Sequence, residues 1–295
     1  MNDHPPIAPP QMLRELAFVM RASRALYAAA ELGVADVLAS GATTSGEIAA
    51  RIGTDAPTLR RLLRALVAQG VFEEETPDRF RLNPAGELLR RDAPGSQRAG
   101  VLFTAGDTRW RLWSDMLESV RTGQAATARA YGKTIFERFT ENAEEAALFN
   151  QAMASYSAAL SAPVISAYDF GAFNSIADVG GGTGRFLADI LTTNPNAQGV
   201  LFDLADVLAG APPLLEASGV TGRCKIVAGD FFVSVSTGAD AYILRAVLHD
   251  WDDARCIAIL ANCRKAMTST ATLLIVERVM PEKAEYGRAS VPSLN

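Results

Sequence analysis

The chain has 295 residues, 49% hydrophobic and 21% charged, enough apolar material to bury a sizeable core in one large or two ordinary domains. Its net charge of −5 provides no global attraction to phosphate backbones or anionic lipid, so neither nucleic acid nor a membrane is expected as a partner. Cys224, Cys256 and Cys263 form neither a paired framework nor a CxxC motif, which suits a soluble protein of the reducing cytoplasm with three structural thiols.

The opening MNDHPPIAPPQ is proline-rich and lacks a basic-then-apolar signal pattern, so it reads as a loose leader that holds His4. From Gln11 to about Ala39, Leu13, Leu16, Met20, Tyr27, Val34 and Leu38 recur at helical spacing, with a break expected at Gly33. TTSGEIAARIG follows, then TDAPTLRRLLRALVAQG, a helix that Thr54 or Asp55 caps, with Pro57 in its first turn and Gly70 at its end. VFEEETPDRFRLNPAGELL reads as two short strands around a turn.

Helix, helix and a two-stranded wing make a winged-helix pattern, and the second helix carries Arg60, Arg61 and Arg64. A DNA-reading role is weighed against charge: Gly41 to Arg91 holds eight arginines and seven acidic residues, three of them Glu73, Glu74 and Glu75 in the wing. That near cancellation favours a solvated or protein-contacting surface. Residues from about Ala99 to Ala167 read as mainly helical. The uncharged run Ala146 to Tyr168 is long enough to span a bilayer, yet it contains Asn150, Gln151, four serines and Pro163, which fits a buried helix lining a pocket better.

Beyond it the texture changes. SIADVG, GVLFDL, CKIVAGD, AYILRAV and TLLIVERV alternate with helical stretches such as RFLADILTT and DARCIAILANCRKAM, the pattern of a parallel α/β sheet with its ligand crevice at the carboxyl ends of the strands. After the first strand comes DVGGGTGRF, where glycines allow a tight turn and bring backbone against a ligand. Its G-x-G-x-G runs through Gly180, Gly182 and Gly184, whereas a dinucleotide fingerprint needs glycine at 185 and meets Arg185.

Asp203 ends the second strand about twenty residues on, the place of a carboxylate that binds ribose hydroxyls. Asp230 ends the third, where it and the Phe231 ring suit an adenine. Asp178, Asp203 and Asp230 thus converge with no phosphate-gripping lysine in the loop, which fits a cationic, phosphate-free nucleoside such as S-adenosylmethionine.

DVGGGTG, VLFDL, GDFF and LHDWDD, in this order, resemble the S-adenosylmethionine-dependent O-methyltransferases typified by the plant caffeic acid and flavonoid enzymes and by bacterial enzymes that tailor polyketide phenols. The resemblance covers nearly the whole chain. It implies a Rossmann-like class I methyltransferase sheet behind a mostly helical winged-helix dimerisation domain, a homodimer through that domain, no metal, and S-adenosylhomocysteine as product. The expected parts are 1–100 for dimerisation, 101–167 as a helical connector lining the substrate pocket, and 168–295 for the cofactor.

The resemblance also assigns residues. His249 is the general base, which an aromatic hydroxyl with a pKa of about 10 requires at neutral pH. Glu277 orients it, with the adjacent Asp250 as a rival. The cofactor set comprises Asp178, Gly180, Gly181, Gly182, Gly184, Asp203, Leu204, Asp230, Phe231, Arg245 and Ser157, and Met153 packs on the acceptor ring. Asp252 or Asp253 caps the next helix, with Trp251 beneath that turn. Relatives continue beyond MPEKAEYGRASVPSLN into a helix and an antiparallel hairpin with a further acidic residue, so the last strands of the sheet are expected to be missing. Two other readings stay open: a winged-helix regulator that senses a small molecule, and a relative that binds the cofactor but performs non-methylating chemistry.

Overall fold

A computed structural model describes residues 8–279 and 282–283; His4, with most of the leader, and nearly all of the tail from Met280 lie outside the described residues. The described chain falls into two compact units divided between Ser155 and Tyr156.

In the first unit, helix Pro9–Glu31 ends just ahead of Gly33, whose φ of +69° reverses the chain into helix Val34–Ala39. Thr44 and Glu47 form a capping box on helix Ser45–Ile52. The Thr43 and Thr44 amides donate to Glu47, holding its carboxyl down at about 2. Asp55 accepts the Thr58 amide at 2.9 Å to cap helix Ala56–Ala68. Leu59, Leu63 and Leu66 lie on one face of that helix and pack with Ile48, Phe72 and Phe80.

Strands β1 (Phe72–Thr76) and β2 (Arg79–Leu82) form the antiparallel wing. Arg64 pairs with Glu74 at 3.1 Å and Arg60 with Asp78 at 3.3 Å, while Arg81 pairs with Glu73 and, at 2.9 Å, with Glu75. Two of the three arginines that raised a DNA-reading role are therefore matched by the wing's own carboxylates.

Short helices fill residues 98–141, and helix Ala143–Ala167 follows. Its surroundings differ from the buried helix expected of the uncharged run: among its described side chains only Ala152 and Ser161 are buried, and Leu160 is 54% exposed. Alanine and serine distributed all round it leave no dominant apolar stripe to bury. Among the described residues, no helix is long and apolar enough to cross a membrane.

The second unit is built on five parallel strands: β3 (Ser175–Val179), β4 (Gln198–Asp203), β5 (Cys224–Ala228), β6 (Ala241–Arg245) and β7 (Thr272–Val276). Their spatial order is β5-β4-β3-β6-β7. Leu187, Ile190 and Leu191 of helix Arg185–Thr193 join Ile176, Leu201 and Ile243 in one core layer. Ile259 and Cys263 of helix Asp253–Ala266 join Val179, Tyr242 and Leu244 in the other. Each large aliphatic side chain buried this way contributes roughly 1.5–3 kcal/mol. Tyr242 is fully buried, its hydroxyl accepting the Ala239 amide and donating to the Ala266 carbonyl.

The chain runs outward from β3 through β4 to β5, then crosses back to lay β6 on the other side of β3. The β3/β6 junction is therefore the topological switch point, where an open α/β sheet leaves a crevice beyond its carboxyl ends.

Candidate active site at the switch point

The glycine loop follows β3 and the His249 turn follows β6, so the parallel pairing of these strands places both at the same edge. They touch: a methyl group added at Gly180 would lie 2.9 Å from Val247 Cγ2 and 3.4 Å from the Phe231 ring. At Gly181 it would come within 2.7 Å of the Asp178 carboxyl. Gly182 has φ +63° with open space beside it, and its amide donates to Asp203 Oδ2 at 2.8 Å. Asp203 Oδ1 accepts the Leu204 amide at 2.7 Å. Asp203 thus fastens the loop, and each of its oxygens keeps a further lone pair for a ligand hydroxyl.

Asp178 is 2% exposed. Burial pushes its carboxyl up to about 7, against the pull of the Arg245 guanidinium and with a further push from Asp203. The Asp203 carboxyl is also raised by burial, opposed by the two amides it accepts. Arg245 donates to Ser157 Oγ at 2.6 Å and to the Ser157 carbonyl at 3.0 Å, and its guanidinium lies 4.2 Å from the Phe186 ring centroid. Arg245 and Ser157, two separate cofactor candidates in the sequence, are therefore one hydrogen-bonded pair. A buried carboxylate in need of a cation, a loop whose backbone is open at Gly182 and carboxylates at two neighbouring strand ends fit a cationic nucleoside.

His249 stands in the turn Leu248–Asp250. Its Nδ1 lies 2.9 Å from Glu277 Oε2, while Glu277 Oε1 accepts the Val247 and Leu248 amides at 2.9 Å each. An ionised Glu277 accepts from an Nδ1–H, the tautomer that would leave the Nε2 lone pair free for a proton. Asp250 Oδ1 is 3.6 Å from Nε2, beyond hydrogen-bond length but within ion-pair reach of a protonated ring. The two carboxylates that competed in the sequence thus take opposite sides of the imidazole, Glu277 behind it and Asp250 toward the outer nitrogen. Ala246, at φ +54°, provides the left-handed step that turns both amides onto Glu277.

Beyond β5, Asp230 is exposed and accepts the Phe232 amide at 2.8 Å. Phe231, Phe232 and Trp251 meet edge-on, and Asp252 caps helix Asp253–Ala266 through the Arg255 amide. Cys256 donates to the Leu248 carbonyl at 3.3 Å, so this thiol braces the His249 turn. Burial raises the Cys224 and Cys263 thiols to about 11. Leu204 is 49% exposed, and Met153 is half-buried in the first unit. Among the described residues, no group of histidine, cysteine or carboxylate side chains is arranged to hold a metal ion.

Sequence reasoning passed over Asn262, Ala246 and Phe186. Asn262 is a buried amide inside an otherwise apolar helical pattern, a signal that was present in LANC; the left-handed step at Ala246 left none, because alanine seldom marks such a conformation.

Residues 113–291 match the O-methyltransferase domain family, and residues 14–92 match the O-methyltransferase dimerisation domain. The chain is 42% identical to the phenazine O-methyltransferase PhzM of Lysobacter antibioticus over 263 residues, 89% of this chain and 77% of that protein. It is 37% identical to the 8-amino-8-demethylriboflavin N,N-dimethyltransferase of Streptomyces davaonensis over 291 residues, 97% of this chain and 84% of that protein. The solved structure of LaPhzM superposes with a TM-score of 0.90 at 40% identity, covering 95% of this chain and 84% of that one. That of NcsB1 from neocarzinostatin biosynthesis, in complex with S-adenosylhomocysteine and 1,4-dihydroxy-2-naphthoic acid, superposes at 0.75 and 34% identity, covering 89% of this chain and 80% of that one.

Proposed function

We propose, starting from a chain that belongs to the O-methyltransferase family with its dimerisation domain, that it methylates a phenolic or enolic hydroxyl of an aromatic small molecule, with His249 as general base. The observation that carries this reading is the His249–Glu277 pair at the switch point, in van der Waals range of the glycine loop through Val247.

When bound, S-adenosylmethionine supplies an electrophilic methyl group on a sulfonium. The chain's residues do the rest. Asp203 accepts from the ribose hydroxyls, and Asp230 and Phe231 hold the adenine. Gly180, Gly181, Gly182 and Gly184 let the backbone approach, and Asp178 answers the cofactor's positive charge beside the Arg245–Ser157 pair. His249 Nε2 takes the proton of the acceptor hydroxyl as its oxygen attacks, while Glu277 stabilises the imidazolium from behind and Asp250 Oδ1 from in front. Met153 packs on the acceptor ring. The enzyme works as a homodimer through its matched dimerisation domain, in the cytoplasm.

Relatives named for oxygen and for nitrogen acceptors both occur. A positioned base favours oxygen here: a neutral aromatic amine attacks without first losing a proton, whereas a phenol does not. The test offers labelled methyl donor with hydroxylated phenazines, naphthoates and simple phenols, and with aromatic amines, to the wild type and to His249→Ala. Hydroxyl acceptors should be methylated by the wild type, and His249→Ala should lose on the order of 100-fold or more. A fully active His249→Ala, or methylation of amines alone, would refute the proposal.

A further inference from the structure

Phe231 follows β5 in a turn that the Asp230 carbonyl closes by accepting the Val233 and Ser234 amides at 2.9 Å each; Asp230 itself is exposed, and neither residue belongs to a strand or helix. The Phe231 ring, with the Val247 side chain, faces Gly180. A group outside that turn meets the Phe231 and Phe232 carbonyls.

That group is Asn262. It is one of the few buried polar side chains of the unit, 8% exposed, on the inward face of helix Asp253–Ala266. Its Nδ2 donates 2.9 Å hydrogen bonds to the Phe231 and Phe232 carbonyls, using both amide hydrogens on two consecutive peptide groups. Lys265 Nζ donates to Asn262 Oδ1 at 3.3 Å, so the oxygen has a partner too and the amide cannot flip without losing all three bonds. The same helix carries Ile259 and Cys263 in the core of the sheet, so Asn262 stands on a rigid support.

We infer that Asn262 is a positioning residue for the cofactor's base: it fixes the Phe231 peptide, and through it the ring, at the width that admits an adenine beside Gly180. The inference rests on the assignment of Phe231 to the adenine. Helix Asp253–Ala266 begins at the Asp252 cap just past the His249 turn and carries Asn262 further along, so one helix braces both halves of the crevice.

The experiment measures binding of S-adenosylhomocysteine and of methylthioadenosine, which has the base and ribose without the amino-acid end, by calorimetry on the wild type, Asn262→Asp, Asn262→Ser and Phe231→Ala. Asn262→Asp keeps the shape and replaces the donor with a group that repels both carbonyls; Asn262→Ser keeps one short donor in case the aspartate variant does not fold. Loss of two hydrogen bonds predicts that both ligands weaken by about tenfold and to the same extent. KM for the cofactor should rise with them, while kcat at saturation stays within about twofold. A general loosening of the site would weaken the longer ligand more and lower kcat, and that outcome overturns the positioning role. Unchanged affinity for methylthioadenosine in both Asn262 variants, with Phe231→Ala weakened, also overturns it while leaving the adenine site in place. Unchanged affinity in Phe231→Ala removes the adenine assignment itself.

Discussion

Asp178→Asn is predicted to make the protein more stable and a poorer binder of its cofactor. Burial raises this carboxyl from 3.8 to about 7, so at pH 8 the folded chain holds a charge that the unfolded chain carries at far lower cost. Roughly three pH units at about 1.4 kcal/mol each set the penalty near 4 kcal/mol. The sign follows from proton counting. Between about pH 4 and 7 the folded state retains a proton that the unfolded state has released, so stability falls as pH rises through that window and levels off above it.

An asparagine stands in for the neutral acid with almost the same shape. Its gain over the wild type should therefore approach 4 kcal/mol at pH 8, roughly 10 °C or more in melting temperature for a unit of this size, and shrink by about 1.4 kcal/mol per pH unit below 7. Calorimetric melting of both proteins without cofactor at pH 5, 6, 7 and 8 measures the gap directly. Titration with S-adenosylhomocysteine should show the stabilised variant binding at least about tenfold more weakly, because the charge that destabilises the empty protein is the one a cation relieves. If Asp178→Asn melts below the wild type at pH 8, or if the gap does not vary with pH, the account of this carboxyl is wrong.

Glu277→Gln should leave the Val247 and Leu248 amides satisfied but present an N–H to His249 Nδ1, forcing the hydrogen onto Nε2; kcat is expected to drop by about 10²–10⁴ with cofactor affinity unchanged, and a loss below tenfold would reject the orienting role. Asp203→Ala removes the acceptor for the Gly182 amide together with the proposed ribose contact, and calorimetry should find cofactor affinity down by at least about tenfold. At Ala246 the φ of +54° tolerates glycine, so Ala246→Gly should melt close to the wild type. Ala246→Val should cost about 1–3 kcal/mol and depress kcat more than cofactor affinity, and equal behaviour of the two variants would remove strain from the explanation.

The sheet was legible because both of its faces are covered. A run such as AYILR has apolar groups on either side of the strand, and the structure buries Ala241 to Leu244 completely. Helix starts were legible to within a residue, at Thr54 or Asp55 and at Asp252 or Asp253, and the side chains that cap the first turns are Asp55 and Asp252. Spacing alone placed Asp203 and the glycine loop at neighbouring strand ends, but not the hydrogen bond between them. The strand order was not readable, since nothing in the residues of β6 says that it pairs with β3 rather than β5. Nor was the partnership of Arg245 with Ser157, which lie 88 positions apart. The long uncharged helix misled for the opposite reason: lack of charge signals tolerance of burial, and only packing decides whether burial occurs.

The crossing from β5 back to β6 also sets the order in which this unit is able to assemble. Ile176 pairs with Ala241, sixty-five residues later. At roughly 5–20 residues per second, about 3–13 s of synthesis separate the two strands on the ribosome. Once β4 has been made β3 can pair on that side only, so until β6 follows the nascent chain carries an open ladder of backbone amides and carbonyls along the strand that becomes the centre of the sheet. The seam that later holds the glycine loop against the His249 turn is the last inner joint to close, and a chain released before β6 emerges would offer that edge to any neighbouring strand.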